Sequence, residues 1–181
     1  MVNRDSLPDQ PKESLLYKGP SGSRKTPNAF SWPEPIFGAY FDKNRKNIDA
    51  MIRSGKDITL FIPDSYAEFN TEFVSKVYQR EFDCETIVVD TIDFASAMLL
   101  KEIQGGKARM VQQDWGKLLN DLREAVYRLT SSTASVEGKR SYNVIFTAHT
   151  MDVLGDDGGV LLKTVPKIGG QFKDELEDYF D

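Results

Sequence analysis

The sequence predicts an α/β fold in which helices cover both faces of a mainly parallel sheet, giving three layers. Short apolar runs alternate along the chain with segments of helical periodicity, which is typical of strands joined by helical crossovers. The run at residues 87–89 is Ile-Val-Val, without polar alternation, and this is typical of a central strand buried on both faces. Because parallel strands bring their carboxyl ends to one edge of the sheet, we expect a ligand site at that edge.

The individual elements follow from the same patterns. Strands are predicted where apolar and β-branched residues cluster, at residues 15–17, 36–41, 58–62, 86–89, 144–148 and 160–165. One helix is predicted from the spacing of Phe69, Phe73 and Val77, and a longer one from the apolar stripe between Trp115 and Leu129. Residues 1–13 show no periodicity and contain two prolines, so we predict a flexible arm ahead of one domain at residues 14–181.

The composition is that of an ordinary globular protein. Hydrophobic residues make up 40% and charged residues 28% of the 181 residues, which excludes disordered and collagenous chains. The net charge of -5 argues against a broad basic face, so any contact with nucleic acid is expected to be local. One cysteine and one histidine exclude an internal disulfide and a zinc cluster. No apolar run approaches the roughly 18 residues of a spanning helix, and the N-terminus does not resemble a signal peptide, so we expect a cytoplasmic protein.

A glycine-rich segment follows the first predicted strand and has the form of a phosphate loop. Its residues are Gly19, Pro20, Ser21, Gly22, Ser23, Arg24, Lys25 and Thr26. In such loops backbone N–H groups and a lysine hold nucleotide phosphates, and a hydroxyl binds Mg²⁺. The sequence therefore predicts ATP and Mg²⁺ as ligands, with Lys25 on the phosphates and Thr26 on the metal.

One residue departs from the pattern G-x-x-x-x-G-K-[ST], because Arg24 stands where the second glycine is expected. The arginine either obstructs the nucleotide and distorts a backbone that needs glycine's freedom, or it points outward and reaches a phosphate oxygen. The sequence leaves both alternatives open.

Asp90 ends the apolar strand predicted at residues 86–89. A carboxylate there, of the Walker B type, would hold Mg²⁺ through its water shell. The alternative is that Asp90 caps the helix that begins near Ile92.

His149 follows the strand predicted at residues 144–148 and is expected at the same edge. We predict that it senses the γ-phosphate or orients the attacking water, although a lone histidine is often structural. The catalytic glutamate cannot be assigned, since Asp42, Glu68 and Asp93 are each expected in a turn, at a helix start or in solvent.

Together these segments resemble phage P-loop nucleotide-binding proteins with a RecA-like core, some of which assist single-strand annealing recombination. The resemblance is carried by residues 15–22, 85–91, 113–116, 143–149, 166–170 and 179–181. It implies a three-layer α/β/α RecA-like P-loop domain that hydrolyses ATP and acts on single-stranded DNA in the cytoplasm of a host cell. It also implies a homo-oligomeric ring or filament, or a phage recombination partner.

The resemblance further implies two DNA-facing loops. The loop at residues 104–112 contains Lys107 and Arg109, which are the candidate DNA-binding residues. The loop at residues 151–159 contains Asp152, Asp156 and Asp157, whose charges would repel phosphate.

Two other functions stay open. The first is a degenerate P-loop module that binds nucleotide weakly or not at all and has a structural or partner-binding role; Arg24 motivates it. The second is a small nucleotide or nucleoside kinase, which is disfavoured because residues 130–140 hold only two basic side chains where a basic lid would lie.

Overall fold

The structure, a computed structural model, describes residues 12–42, 44–155 and 161–180. Its strands form one sheet in the order β1-β5-β4-β2-β3, with β6 paired to β5. The strands are β1 (Ser14–Gly19), β2 (Ile36–Tyr40), β3 (Ile58–Phe61), β4 (Thr86–Asp90), β5 (Asn143–Leu154) and β6 (Leu161–Pro166). All pairs among β1 to β5 are parallel, and only the pair of β5 with β6 is antiparallel.

The helices connect these strands. They are α1 (Lys25–Ala29), α2 (Lys46–Arg53), α3 (Tyr66–Glu68), α4 (Ser75–Gln79), α5 (Ile92–Gln104), α6 (Gln112–Thr130) and α7 (Phe172–Glu175). A π-helical segment, Phe69–Val74, joins α3 to α4, so the predicted stripe at spacing four spans two helical pieces, with Phe69 and Phe73 in the π-helix and Val77 in α4. Within the described part of the chain, no helix has both the length and the apolar character needed to cross a membrane.

The sheet is buried on both faces. Ile87 and Val89 of β4 pack into one core, whereas Val88 between them packs into the other, and all three are fully buried. The first core includes residues of α4, α5 and α6, and the second includes Ala29 of α1 and Ile48 of α2. This confirms the predicted α/β fold with a mostly parallel central sheet and flanking helices.

Strand β5 is longer than predicted. Its parallel pairing with β1 ends at the pair Gly19 and His149, and from Thr150 onward it pairs antiparallel with β6. The predictions that His149 ends its strand and that residues 151–154 lie in a loop are therefore wrong. The extension is held by cross-strand pairs with a segment farther along the chain, which local periodicity does not reveal. Asp156 and Asp157 lie outside the described residues.

The two residues that precede β1, Lys12 and Glu13, already contact the sheet. The carbonyl of Glu13 accepts a hydrogen bond from Val144 N at 2.8 Å, and Lys12 Nζ lies 2.5 Å from Glu85 Oε2. Residues 1–11 of the predicted arm lie outside the described residues.

Candidate functional site

The glycine-rich segment forms a tight loop between β1 and α1. Gly22 and Arg24 both have positive φ, at 81° and 64°, and Ser23 N donates to the carbonyl of Pro20 at 3.3 Å. A Cβ atom at Gly19 would lie 2.8 Å from Ser23 Oγ, which is too close unless the serine moves. Backbone that alternates between right- and left-handed conformations forms a concave nest suited to anions.

Arg24 takes a backbone conformation that glycine adopts more readily than other residues. Its backbone lies at φ 64° and ψ 23°, in the left-handed region, where a Cβ atom costs about 1–2 kcal/mol. Its side chain is exposed and lines the pocket described below. The loop therefore carries an arginine at a position whose backbone conformation favours glycine.

Lys25 points back into the loop and is only 7% exposed. Its Nζ donates to three oxygen atoms, the carbonyls of Gly19 and Pro20, each at 2.8 Å, and Ser23 Oγ at 3.3 Å. Burial lowers the pKa of Lys25, and the nearby carboxylates of Asp90 and Asp93 oppose that shift. The ammonium group thus sits within the concavity of the loop.

Asp90 ends β4 with only 2% of its surface exposed. Thr26 Oγ1 donates to its Oδ2 at 2.7 Å, and Thr147 Oγ1 of β5 donates to its Oδ1. Burial raises the pKa of Asp90, while these two hydrogen bonds and the charge of Lys25 oppose the rise. The helix-cap alternative is wrong, because Thr91 occupies the N-cap position of α5 and no side chain caps it.

His149 is held by Asp93 in the first turn of α5. The main-chain N of His149 donates to Asp93 Oδ1 at 3.0 Å, and its ring Nδ1 lies 3.0 Å from Oδ2. The Asp93 side chain is 8% exposed and that of His149 is 27% exposed. Phe94 approaches the imidazole edge-on, with ring centroids 6.0 Å apart. The expectation that Asp93 lies at a helix start is confirmed, but the side chain is buried and not solvated.

The remaining two acids lie where turns and helix starts were expected. Asp42 is exposed, and its Oδ1 accepts a hydrogen bond from Asn44 N at 2.9 Å in a turn. Glu68 lies in the first turn of the short helix α3, and its main-chain N donates to Ser65 Oγ at 3.1 Å.

The loop, Asp90 and His149 surround one pocket of about 320 Å³. The sequence analysis did not single out several residues that line it or contact its carboxylate, namely Tyr40, Asn44, Asn47, Thr91, Phe94 and Thr147. Burial, with a contribution from Asp90, raises the pKa of Tyr40 to about 12. Tyr40 could have been identified from the sequence, because it ends β2 at the same carboxyl edge of the sheet at which Asp90 ends β4.

The pocket fits a Mg²⁺-nucleotide by its donor atoms. Among the described residues, Thr91 Oγ1 is the only buried side-chain polar atom without a partner, and it lines this pocket. A buried hydroxyl is destabilising until a water or ligand oxygen bonds to it. Thr26 and Asp90 offer the oxygen ligands that Mg²⁺ prefers. No cluster of three His, Cys, Asp or Glu suited to a metal occurs in the described ranges, so water and phosphate oxygens would complete the coordination shell.

The two candidate DNA-binding residues do not line the pocket. Lys107 and Arg109 lie in the loop between α5 and α6. Both residues are exposed, and Lys107 Nζ is 2.6 Å from Asp114 Oδ1, so the charge of Lys107 is already paired.

Comparison with known proteins identifies the family. A family model described as an AAA domain matches residues 11–181, which is nearly the whole chain. The curated proteins contain no match to this sequence. The family match agrees with the parallel sheet, the loop before α1 and the acidic residue at the end of β4. The chain therefore belongs to the AAA domain family, whose members are P-loop ATPases.

Proposed function

We propose that the protein binds Mg²⁺-ATP in the pocket at the carboxyl edge of the sheet and hydrolyses it. One observation carries the proposal: Thr26, beside the buried Lys25, lies 2.7 Å from Asp90, although the two residues are 64 positions apart. Three chemically distinct groups that Mg²⁺-ATP requires thus share one site. Membership of the AAA domain family supports nucleotide binding.

Each residue has a role in this proposal. The backbone from Gly19 to Thr26 would surround the phosphates, and Lys25 would exchange its bonds to loop carbonyls for bonds to the β- and γ-phosphate oxygens. Thr26 and Asp90 would hold Mg²⁺, which neutralises phosphate charge when bound. The loop is preorganised, since the ammonium already occupies its concavity.

Isothermal titration with Mg²⁺-ATP tests the proposal. We expect a Kd of about 100 μM or tighter for the natural protein. Hydrogen bonds to charged groups contribute about 1.5–3 kcal/mol, so Lys25→Ala should raise the Kd at least about tenfold. Lys18→Ala is the matched control, because Lys18 is exposed and bonds to Glu177 at 2.6 Å away from the pocket. Equal Kd values for the two variants, or no binding by the natural protein, would refute the proposal.

The degenerate-loop alternative predicts a different pattern. If Arg24 prevents binding, the natural protein should give no heat with Mg²⁺-ATP, and Arg24→Gly should gain binding that depends on Lys25. If the natural protein binds and Arg24→Gly changes the Kd only slightly, the alternative fails.

We further propose that the ATP-bound protein acts on single-stranded DNA during phage recombination, as a homo-oligomer or with a recombination partner in the host cytoplasm. The resemblance and the exposed Arg109 support this role. Fluorescence anisotropy with labelled oligo(dT) should detect binding that strengthens with ATP and weakens with salt. Arg109→Ala should weaken binding more than Lys107→Ala, because Asp114 already pairs with Lys107. Binding unaffected by ATP and by both substitutions would contradict this role.

A further inference from the structure

The hydrogen bonds between Asp93 and His149 determine which ring nitrogen carries the proton. A carboxylate only accepts hydrogen bonds, so the Nδ1 atom that lies 3.0 Å from Asp93 Oδ2 must be the protonated one. In the neutral imidazole, Nε2 then keeps its lone pair. The second bond, from the main-chain N of His149 to Asp93 Oδ1, fixes the carboxylate relative to the strand.

The position of His149 places this ring beside the phosphate loop. His149 pairs in register with Gly19, the first residue of the loop, and lines the same pocket as Lys25, Thr26 and Asp90. Its side chain is 27% exposed, so the ring remains accessible from the pocket.

The other groups that line the pocket are poorly suited to take a proton from water. Asp90 is engaged by two threonine hydroxyls and is the proposed metal ligand. The next residue, Thr91, carries a hydroxyl that is not basic. Tyr40 has its pKa raised to about 12, and its hydroxyl donates to the carbonyl of Asn44. Asp42 is exposed and closes a turn.

We propose that His149 is the general base of ATP hydrolysis and that Asp93 is its positioning residue. The inference rests on the proposed function. As the water oxygen forms a bond to the γ-phosphorus, the bond from that phosphorus to the β–γ bridging oxygen breaks, and its electron pair leaves with ADP. One water proton passes to His149 Nε2, and Asp93 stabilises the resulting imidazolium. The ring returns the proton to solvent when phosphate has left.

Kinetics of two variants test the base. Gln in His149→Gln can still hydrogen-bond to water but cannot accept its proton, and general-base catalysis contributes about 10²–10⁴-fold. We therefore expect the hydrolysis rate at saturating ATP to fall at least about 100-fold, with the Kd for Mg²⁺-ATP within about threefold of the natural value. Asp93→Asn should give a similar loss. A residue that only binds the γ-phosphate would instead weaken ATP relative to ADP.

A spectroscopic readout tests the positioning role without nucleotide. Because the chain contains a single histidine, ¹⁵N NMR of the imidazole reports on His149 alone in an untagged protein. We expect the Nδ1–H tautomer in the natural protein. In Asp93→Asn, the amide oxygen can keep the main-chain bond while its NH₂ group donates to Nδ1, which shifts the ring to the Nε2–H tautomer.

The outcomes separate the two proposals. If the natural protein does not bind Mg²⁺-ATP, the proposed function is overturned. If it binds and hydrolyses ATP but His149→Gln retains the natural rate, or if NMR shows the Nε2–H tautomer in the natural protein, only the base assignment is overturned. Binding without any hydrolysis by the natural protein overturns the base and the ATPase activity together. Should Asp93→Asn fail to fold, His149→Gln and the natural tautomer decide.

Discussion

Replacing Arg24 with glycine tests the conformation of the phosphate loop through stability alone. The residue lies at φ 64° and ψ 23°, where a Cβ atom costs about 1–2 kcal/mol. Glycine avoids that cost but loses about 0.5–1 kcal/mol more than alanine in backbone entropy on folding. From the midpoints of these ranges, Arg24→Gly should therefore be more stable than Arg24→Ala by about 0.75 kcal/mol, or about 1.5–3 °C in Tm for a domain of this size. Because the guanidinium is exposed, the gain over the natural protein should be similar.

Thermal unfolding of the nucleotide-free proteins measures this difference, and Arg80 provides the control. Arg80 is the other non-glycine residue with positive φ, 67°, in the described part of the chain. Its guanidinium donates to the carbonyls of Ser131, Ser132 and Arg140 at 2.7–3.1 Å. Both Arg80 variants should be less stable than the natural protein, yet Arg80→Gly should exceed Arg80→Ala by the same margin. A glycine advantage at position 80 with none at position 24 would refute the left-handed conformation of Arg24.

Three further predictions concern Asp90 and the sheet beneath the site. Thr147→Val removes a hydrogen-bond donor to the buried Asp90 carboxylate and should lower the free energy of unfolding in urea by about 1–3 kcal/mol. Thr164→Val at an exposed position is the control, and an equal loss there would argue that the lost bond to Asp90 is not the cause. Burial raises the pKa of the Asp90 carboxyl group, so the folded protein binds the carboxyl proton more tightly than the unfolded chain does. The contribution of Asp90 to the free energy of unfolding therefore falls as pH rises from 3.8 through the pKa of the folded state. The free energy of unfolding of Asp90→Asn minus that of the natural protein should therefore be larger at pH 7 than at pH 4. An equal difference at the two pH values would contradict the raised pKa. Gly38→Ala would place a Cβ atom 2.8 Å from the Phe30 ring and should lower the free energy of unfolding, measured by heat or urea, by about 1–3 kcal/mol. Adding Phe30→Leu should restore part of that loss. If Gly38→Ala alone is as stable as the natural protein, the contact is not tight.

The sequence by itself determined the class of the fold and predicted the residues of the candidate site. Apolar runs such as residues 87–89 and the long stripe of α6 depend only on local spacing, and burial of apolar side chains enforces that spacing in any fold of this class. The predicted phosphate loop is similarly local, because the groups that would surround phosphate come from consecutive residues. The presence of Asp90 at a strand end and of Lys25 beside Thr26 could therefore be recognised without a structure.

Only the tertiary structure decided which side chains complete the site. Thr147 bonds to a carboxylate 57 positions away, and Asp93 holds a histidine 56 positions away, so neither partner has a local signal. The antiparallel extension of β5 likewise depends on pairing with β6. These contacts form when strands that are distant in sequence become neighbours in the sheet. The spacing of residues along the chain does not predict which strands will be neighbours.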